Sequence, residues 1–412
     1  MLKLQLNPDL DITDLVKKYS APLIIYSTKE LNCRISELRD ALPVESRLLY
    51  SVKANPNPYV LDVLNQAGLG FEVASAGELQ HVINSGIHPD RIVLGGPIKS
   101  KEAILLGIRN SILSYNVESE QDLQNIAGES GQNLNLSIRI NPDFSNRNSI
   151  LKMGGVPSQF GIDEKEVIPL IRKYKNKVNI NGLFMYAGSQ FFDAQSIIEN
   201  TSFLIEFAEK HIAEFKQLDF IDFGGGFGVA ETSLQSDLDL NVLKTGLADL
   251  FKRNKQFLDG IKYKYFESGR YLTATSAVLA SKVLDIKYSK GKKFIILDTG
   301  INHLGLRQFN NNERGYLIRP LKEYQRHSPA ILTGATCTPI DIIQNEADFP
   351  DVAIGDLVLI SNFGAYTTSL SPYNFCGFTY PAEVAVDDSG NALPIRERGD
   401  IANSCGTGYI FK

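Results

Sequence analysis

Along the first two thirds of the chain, short apolar runs alternate with segments of helical spacing. The runs lie at 48–52, 70–73, 92–94, 111–115, 136–140, 180–185, 220–223 and 263–267. Their length and bounding turn residues predict strands. Segments 77–85, 101–108, 120–129 and 194–214 carry apolar residues on one face and predict helices. Eight strands with alternating helices predict a (β/α)₈ barrel, which typically takes about 250 residues. A doubly wound sheet has the same alternation, because periodicity does not register closure. Ahead of the barrel, 13–19 is a short amphipathic piece and 22–26 an apolar strand. Ser27-Thr28-Lys29-Glu30 then offers a capping signal to a helix over 31–42. After Arg270 the pattern changes. Strand-like runs at 277–288, 293–298, 330–334, 357–362 and 382–386 are separated by Gly, Pro, Asn and Asp turns. They predict a mostly β second domain, a sandwich or small barrel. The expected organisation is an N-terminal segment over 1–27 that packs with the C-terminal domain, a barrel over 28–270 and a β domain over 271–412.

Composition narrows the classes. With 412 residues, 43% of them hydrophobic, the chain can bury a full core. A net charge of -5 argues against a nucleic-acid binder, which needs a basic face. No apolar run approaches the ~20 residues of a membrane span, and the start lacks a signal peptide's long apolar segment. Cys33, Cys337, Cys376 and Cys405 are far apart in sequence and form no CxxC pair. They read as free thiols of a cytoplasmic protein. Five scattered histidines give a metal centre little to build on.

Against that background, Tyr50-Ser51-Val52-Lys53-Ala54-Asn55-Pro56 is unusual. It puts a lysine where a strand gives way to a βα loop, the place where such barrels carry their chemistry. A solvated loop lysine is the plain reading. Stripped of water, however, the amine can lose its proton and form a Schiff base with an aldehyde. Gly224-Gly225-Gly226-Phe227-Gly228 follows the run at 220–223. Glycines there let backbone N–H groups approach an anion, and a helix start behind them would add its dipole; a flexible turn explains them as well. Glu267-Ser268-Gly269-Arg270 ends the eighth run. The two charges form either a local ion pair or separate contacts, Glu267 to a ring nitrogen and Arg270 to a phosphate. Glu72 and Glu78, in Glu72-Val73-Ala74-Ser75-Ala76-Gly77-Glu78, serve the dipole of a following helix or position a lysine or cofactor ring. Cys337 and Tyr366 sit in polar, Gly-containing turns of the second domain.

Together with Gly188-Ser189-Gln190 and Gly364-Ala365-Tyr366, these motifs stand in the order found in one family. From about Pro22 to Glu383 the chain resembles the group IV (fold-type III) pyridoxal-phosphate decarboxylases, which include diaminopimelate and ornithine decarboxylases. The resemblance implies an N-terminal barrel, a C-terminal β domain and a homodimer with shared active sites. It implies pyridoxal 5′-phosphate as cofactor, held by Lys53 through a Schiff base. Gly224, Gly225, Gly226, Ser189, Arg270 and Tyr366 would hold its phosphate, and Glu267 its pyridine nitrogen. Cys337 would reach in from the partner as a proton donor. Alanine racemases share the barrel but pair the ring nitrogen with an arginine, so Glu267 favours decarboxylation.

Two departures bear on substrate. Where the family follows its cysteine with an acid that binds a distal ammonium, this chain has Thr338, whose hydroxyl supplies no such charge. Where the family stacks a histidine on the cofactor, it has Tyr186, which can also stack. With Lys152-Met153-Gly154-Gly155 and the residues to Gly161, these features are similar to a specialised branch that acts on glutamate tethered to an acyl-carrier protein. The expected substrate is therefore an amino acid with a neutral or conjugated far end, free or carrier-tethered, in a natural-product pathway. Arg319-Pro320 resembles a pair that holds a substrate carboxylate in diaminopimelate decarboxylase, although the polar loop at 310–314 blurs the match and a plain surface arginine explains it equally. The alternatives are a diaminopimelate decarboxylase of lysine biosynthesis and a non-catalytic decarboxylase-like binding protein. Intact Lys53, Glu267 and Arg270 count against the last.

Overall fold

A closed ring of strands lies at the centre of the fold. The computed structural model describes residues 10–130, 134–144, 149–231, 235–305 and 316–400. Counting from β1 (Leu23–Ser27), the ring begins at β2 (Arg47–Ser51) and continues through β3 (Gly70–Val73), β4 (Ile92–Leu94), β5 (Ser114–Val117) and β6 (Leu136–Asn141). Two short strands, β7 (Ser149–Lys152) and β8 (Ile162–Asp163), intervene before β9 (Ile180–Met185). After β10 (Gly188–Phe191) come β11 (Phe220–Asp222) and β12 (Tyr263–Ser268). Parallel pairing runs β2-β3-β4-β5-β6-β9-β11-β12, and β12 returns to β2 in the register Tyr265↔Arg47 to Ser268↔Tyr50. This is an eight-stranded parallel barrel, and the doubly wound alternative is excluded. Strands β3, β4, β5, β6, β9 and β11 are buried along their whole length, as expected where helices cover one face and the interior fills the other.

One strand begins later than its apolar run. Ser111 takes a left-handed conformation (φ 55°) and caps the helix Lys101–Asn110, with Ile112 N–H donating to Gly107 O at 3.2 Å. The helix stop consumes the start of the run, so the strand opens at Ser114 instead of Ser111.

The chain divides into two units: Arg34–Val229 with Ser236–Tyr271, and Met1–Cys33 with Ala230–Gln235 and Leu272–Lys412. The second unit is mostly β. Its strands are β1, β13 (Ala277–Ser289), β14 (Lys292–Leu297), β15 (Ile318–Pro320), β16 (His327–Thr333), β17 (Ile342–Pro350), β18 (Leu357–Ile360), β19 (Ala382–Val386) and β20 (Ala392–Arg396). Strand β13 organises them. Its first half lies between β1 and β18, both antiparallel to it; past a register shift at Val283/Asp285 it pairs with β14. Strand β1 runs parallel to β19 on its other edge. Leu23, Ile25, Val278, Ala280, Leu359 and Val384 make the core there. Among the described residues, no helix is long and apolar enough to cross a membrane.

Candidate active site

At the C-terminal end of the barrel, β2 runs directly into a single 3₁₀ turn, Val52–Ala54, that carries Lys53. Asn55 and Pro56 end the turn, and the Asn57 side chain caps the next helix by accepting from Tyr59 N–H at 2.9 Å. On the neighbouring strand, Glu72 pairs in register with Ser51. Its Oε2 accepts from Lys53 Nζ at 2.7 Å. The Glu72 side chain is 6% exposed and that of Lys53 46%, so the ion pair spans from the barrel interior to its mouth. Glu78 has a different task. Its carboxylate accepts from Ala74 N–H at 2.8 Å while Ser75 Oγ caps Glu78 N–H, a reciprocal lock on the helix Ala76–Asn84. Burial pushes the Glu78 carboxyl up.

On β12, the neighbour of β2 on its other edge, Glu267 is almost fully buried and its Oε1 has no hydrogen-bond partner. Asp222, the last residue of β11, is fully buried beside it. From β6, Arg139 Nη1 donates to both oxygens of Glu118 at 3.0 Å, with its guanidinium over the rings of Phe160 and Phe184 at 4.7 and 5.2 Å. Asp222, Arg139 and Glu118 were not singled out by their motifs. A charge inside an otherwise apolar strand, as in Phe220-Ile221-Asp222 or Leu136-Ser137-Ile138-Arg139-Ile140, was the available signal.

The glycine loop follows β11, and the next helix among the described residues opens only at Leu240, so no described helix starts directly behind the loop. The need for glycine is steric. A Cβ on Gly225 would stand 1.7 Å from Glu267 O, and one on Gly226 2.2 Å from Gly188 O. The loop is therefore pressed against two neighbouring strands, with Gly225 and Gly226 half-buried. Gln190, at φ 62°, holds it from the other side: its amide exchanges hydrogen bonds with the Val229 backbone at 2.9 and 3.1 Å. Beside Gln190, Ser189 Oγ is 2.8 Å from the Tyr186 hydroxyl. Strand β10 also pairs antiparallel with β7, and Met153 and Gly154 N–H both donate to Ala187 O at 3.1 Å. The Lys152–Gly155 motif is thus fixed to the segment that carries Tyr186 and Ser189. Arg270, half-buried, opens the short helix Arg270–Thr273.

The remaining predicted residues belong to the β unit. Cys337 and Thr338 sit in a turn organised by Asp341, whose Oδ1 accepts from Ile301 N–H at 2.7 Å and Oδ2 from Thr336 N–H at 3.0 Å. Cys337 Sγ is 3.2 Å from Cys376 Sγ, so two thiols far apart in sequence are adjacent in space; Cys376 raises the Cys337 pKa. Thr338 is half-buried, and Arg319 is exposed on β15. Tyr366 has φ 54° and follows Gly364, whose Cβ would meet Thr273 O at 1.8 Å. Part of the polar loop at 310–314 was expected to bear on Arg319; it lies outside the described residues. No group of three or more His, Cys, Asp or Glu among the described residues could hold a metal ion.

Residues 28–274 match the pyridoxal binding domain of the pyridoxal-dependent decarboxylases. The chain is 31% identical over 403 residues to the L-glutamyl-[BtrI acyl-carrier protein] decarboxylase of Niallia circulans, covering 94% of both. It is 29% identical over 398 residues to the diaminopimelate decarboxylase of Aquifex aeolicus, covering 94% of this chain and 92% of that one. The crystal structure of diaminopimelate decarboxylase from Helicobacter pylori complexed with L-lysine matches with a TM-score of 0.87 at 28% identity, over 96% of this chain and 98% of that one. The chain belongs to the pyridoxal-dependent decarboxylases. It is an enzyme of the carboxy-lyase type, and pyridoxal phosphate is its cofactor.

The barrel end fits that cofactor. Glu267 Oε1, buried and without a partner, is placed to accept from a protonated ring nitrogen. The Lys53 amine is reachable from the mouth, and the glycine loop offers backbone where a side chain would not fit.

Proposed function

We propose that the enzyme decarboxylates an amino acid whose far end is neutral or conjugated, including one carried on an acyl-carrier protein, in a secondary-metabolite pathway. The observation that carries the catalytic part is the buried, partnerless Glu267 Oε1 at the same barrel end as the Lys53 amine. In this reading Lys53 holds the cofactor, Tyr186 lies against its ring, and Glu267 holds its ring nitrogen. Gly224, Gly225, Gly226, Ser189, Arg270 and Tyr366 hold the phosphate. Bound pyridoxal phosphate supplies a sink for the electron pair left on Cα when CO₂ departs. Glu72 orients the Lys53 amine through its 2.7 Å hydrogen bond and takes up the amine's charge. Cys337 returns a proton to Cα from Sγ. Ser189, tied to the Tyr186 hydroxyl, keeps its Oγ in one place.

The substrate part rests on Thr338, which offers a hydroxyl where a diamine would require a carboxylate, and is supported by the likeness to the Niallia circulans relative. With such a far end Arg319 is a plain surface arginine; it would hold a substrate carboxylate in the diaminopimelate reading. The comparable likeness to diaminopimelate decarboxylases favours a second reading, diaminopimelate as substrate.

The deciding measurement is CO₂ release with added pyridoxal phosphate from diaminopimelate, lysine, ornithine, arginine, free glutamate and carrier-bound glutamate. Turnover of the carrier-bound substrate alone supports the specialised reading. Efficient turnover of diaminopimelate replaces it with the second. Lys53→Ala should abolish both turnover and the cofactor's visible absorbance band; an unchanged spectrum would remove Lys53 from the site.

A further inference from the structure

Two acids meet at the barrel end, and among the described residues neither forms an ion pair. Asp222 Oδ1 accepts from Gly224 N–H at 2.9 Å, whereas Oδ2 is buried without a partner. Glu267 Oε1, on the adjacent strand, is in the same condition. The two carboxyl groups stand near the ends of paired parallel strands, with Asp222 in register with Tyr265, two residues before Glu267, and each acts on the other. Ionised carboxylates only accept, so a hydrogen bond between them needs a proton on one.

The charged groups around the pair come from four other strands or their ends, β2, β3, β5 and β6. Lys53 is engaged by Glu72 at 2.7 Å, and Arg139 by Glu118 at 3.0 Å. Each cation is thus matched by an anion before Asp222 and Glu267 are counted. Two bare negative charges in contact, cut off from water, would be strongly disfavoured. We infer that Asp222 and Glu267 hold one proton between them. When Glu267 faces a cation at the barrel mouth, the proton lies on Asp222, which donates to Glu267 and fixes the charge Glu267 presents there. In this role Asp222 is a positioning residue. Its bearing on a ring nitrogen rests on the function proposed above; the shared proton does not.

Burial is the main cause that raises both acids, Asp222 to about 7 and Glu267 well above the usual carboxylate range. The charges of Asp222 and Glu72 add to the effect on Glu267, while Lys53 and Arg139 oppose it. The folded chain therefore keeps a proton that the unfolded chain releases above its ordinary pKa of 3.8. Stability from Asp222 is greatest below that pH and is lost as pH rises through about 7, and Glu267, held well above the usual carboxylate range, extends the fall to higher pH.

The experiment uses the full-length cofactor-free protein and two readouts. One is the infrared band of a buried protonated carboxyl near neutral pH, and the other is thermal unfolding across weakly acid to weakly alkaline pH. Asp222→Asn retains an acceptor for Gly224 N–H and a donor toward Glu267. It should remove the band, flatten the fall of melting temperature with pH, and leave pyridoxal phosphate affinity within roughly threefold. Asp222→Ala, which lacks the donor, should weaken that affinity tenfold or more. Should Asp222→Asn fail to fold, Glu267→Gln must remove the band in its place. A wild-type protein without the band, or a band that persists in both Asp222→Asn and Glu267→Gln, overturns the shared proton. Equal loss of affinity in Asp222→Asn and Asp222→Ala overturns the positioning role. A protein that has the band yet releases no CO₂ from any substrate leaves the pair standing and removes the decarboxylase reading.

Discussion

His303 is the buried ionisable residue whose pH dependence opposes that of the barrel acids. The ring is enclosed in the β unit, and burial lowers its pKa to about 4. With its proton on Nε2 the neutral ring donates to Thr379 O at 3.2 Å and accepts at Nδ1 from Thr299 Oγ1 at 3.0 Å, while Asn302 Nδ2 lies 3.1 Å from Nε2. Between about pH 4 and 6.5 the unfolded chain binds a proton that the folded chain refuses. Stability from this site is thus full above 6.5 and is lost as pH falls through about 4. The loss should be of order 2–3 kcal/mol. His303→Gln should flatten that acid limb in denaturant titrations; an unchanged limb would assign acid sensitivity to other groups. Nothing in the sequence marks His303, because one histidine among short apolar residues looks the same whether it is buried or exposed. Lys53 and Glu267 were legible since each breaks its strand end with a charge. Asp222 was hidden inside a run that reads simply as strand.

At the level of elements, most of the barrel could be read directly. Runs such as 70–73, 92–94 and 180–185 are strands with the same limits, since a parallel strand buried on both faces is largely apolar, Glu72 and Asn181 being the polar residues in these three. Edge-like strands were not legible. Ile342–Pro350 carries Gln344, Asn345, Glu346 and Asp348 and is largely exposed, so tertiary pairing with β16 rather than pattern makes it a strand. The contact between the glycine loop and Glu267 was also invisible, because the two segments approach only once β12 pairs with β11. It has a measurable consequence. Gly225 has no left-handed backbone to protect; space alone forbids a side chain there. Gly225→Ala must push β12 and the loop apart and displace Glu267. It should cost about 2–3 kcal/mol and lower cofactor affinity at least tenfold. Calorimetry with a pyridoxal phosphate titration would check both, and wild-type values in the two would mean that the loop yields without moving Glu267.

The whole-molecule expectation that stays a proposal is the homodimer with Cys337 acting on the partner's barrel. It makes an unusual arithmetic prediction. Lys53→Ala and Cys337→Ala should each be strongly impaired alone. Mixed after dissociation, half of the dimers are hybrids, and each hybrid contains one site with both native residues. Roughly a quarter of wild-type activity should return. No recovery, in a mixture shown to exchange subunits, would place Cys337 and Lys53 in the same chain's site.

Strand β1 lies between β13 and β19. During synthesis Leu23–Ser27 is made long before Ala277 or Ala382 exists to pair with it. Those apolar residues must wait, unpaired, while every barrel strand is translated, and an unpaired apolar strand is a site for aggregation. The ribosome thus exposes a length of nascent chain that has a complete set of barrel strands but an orphan leading segment. Chaperone capture during that interval would be concentrated on residues 23–27, and slow codons placed just before the β13 region would lengthen it.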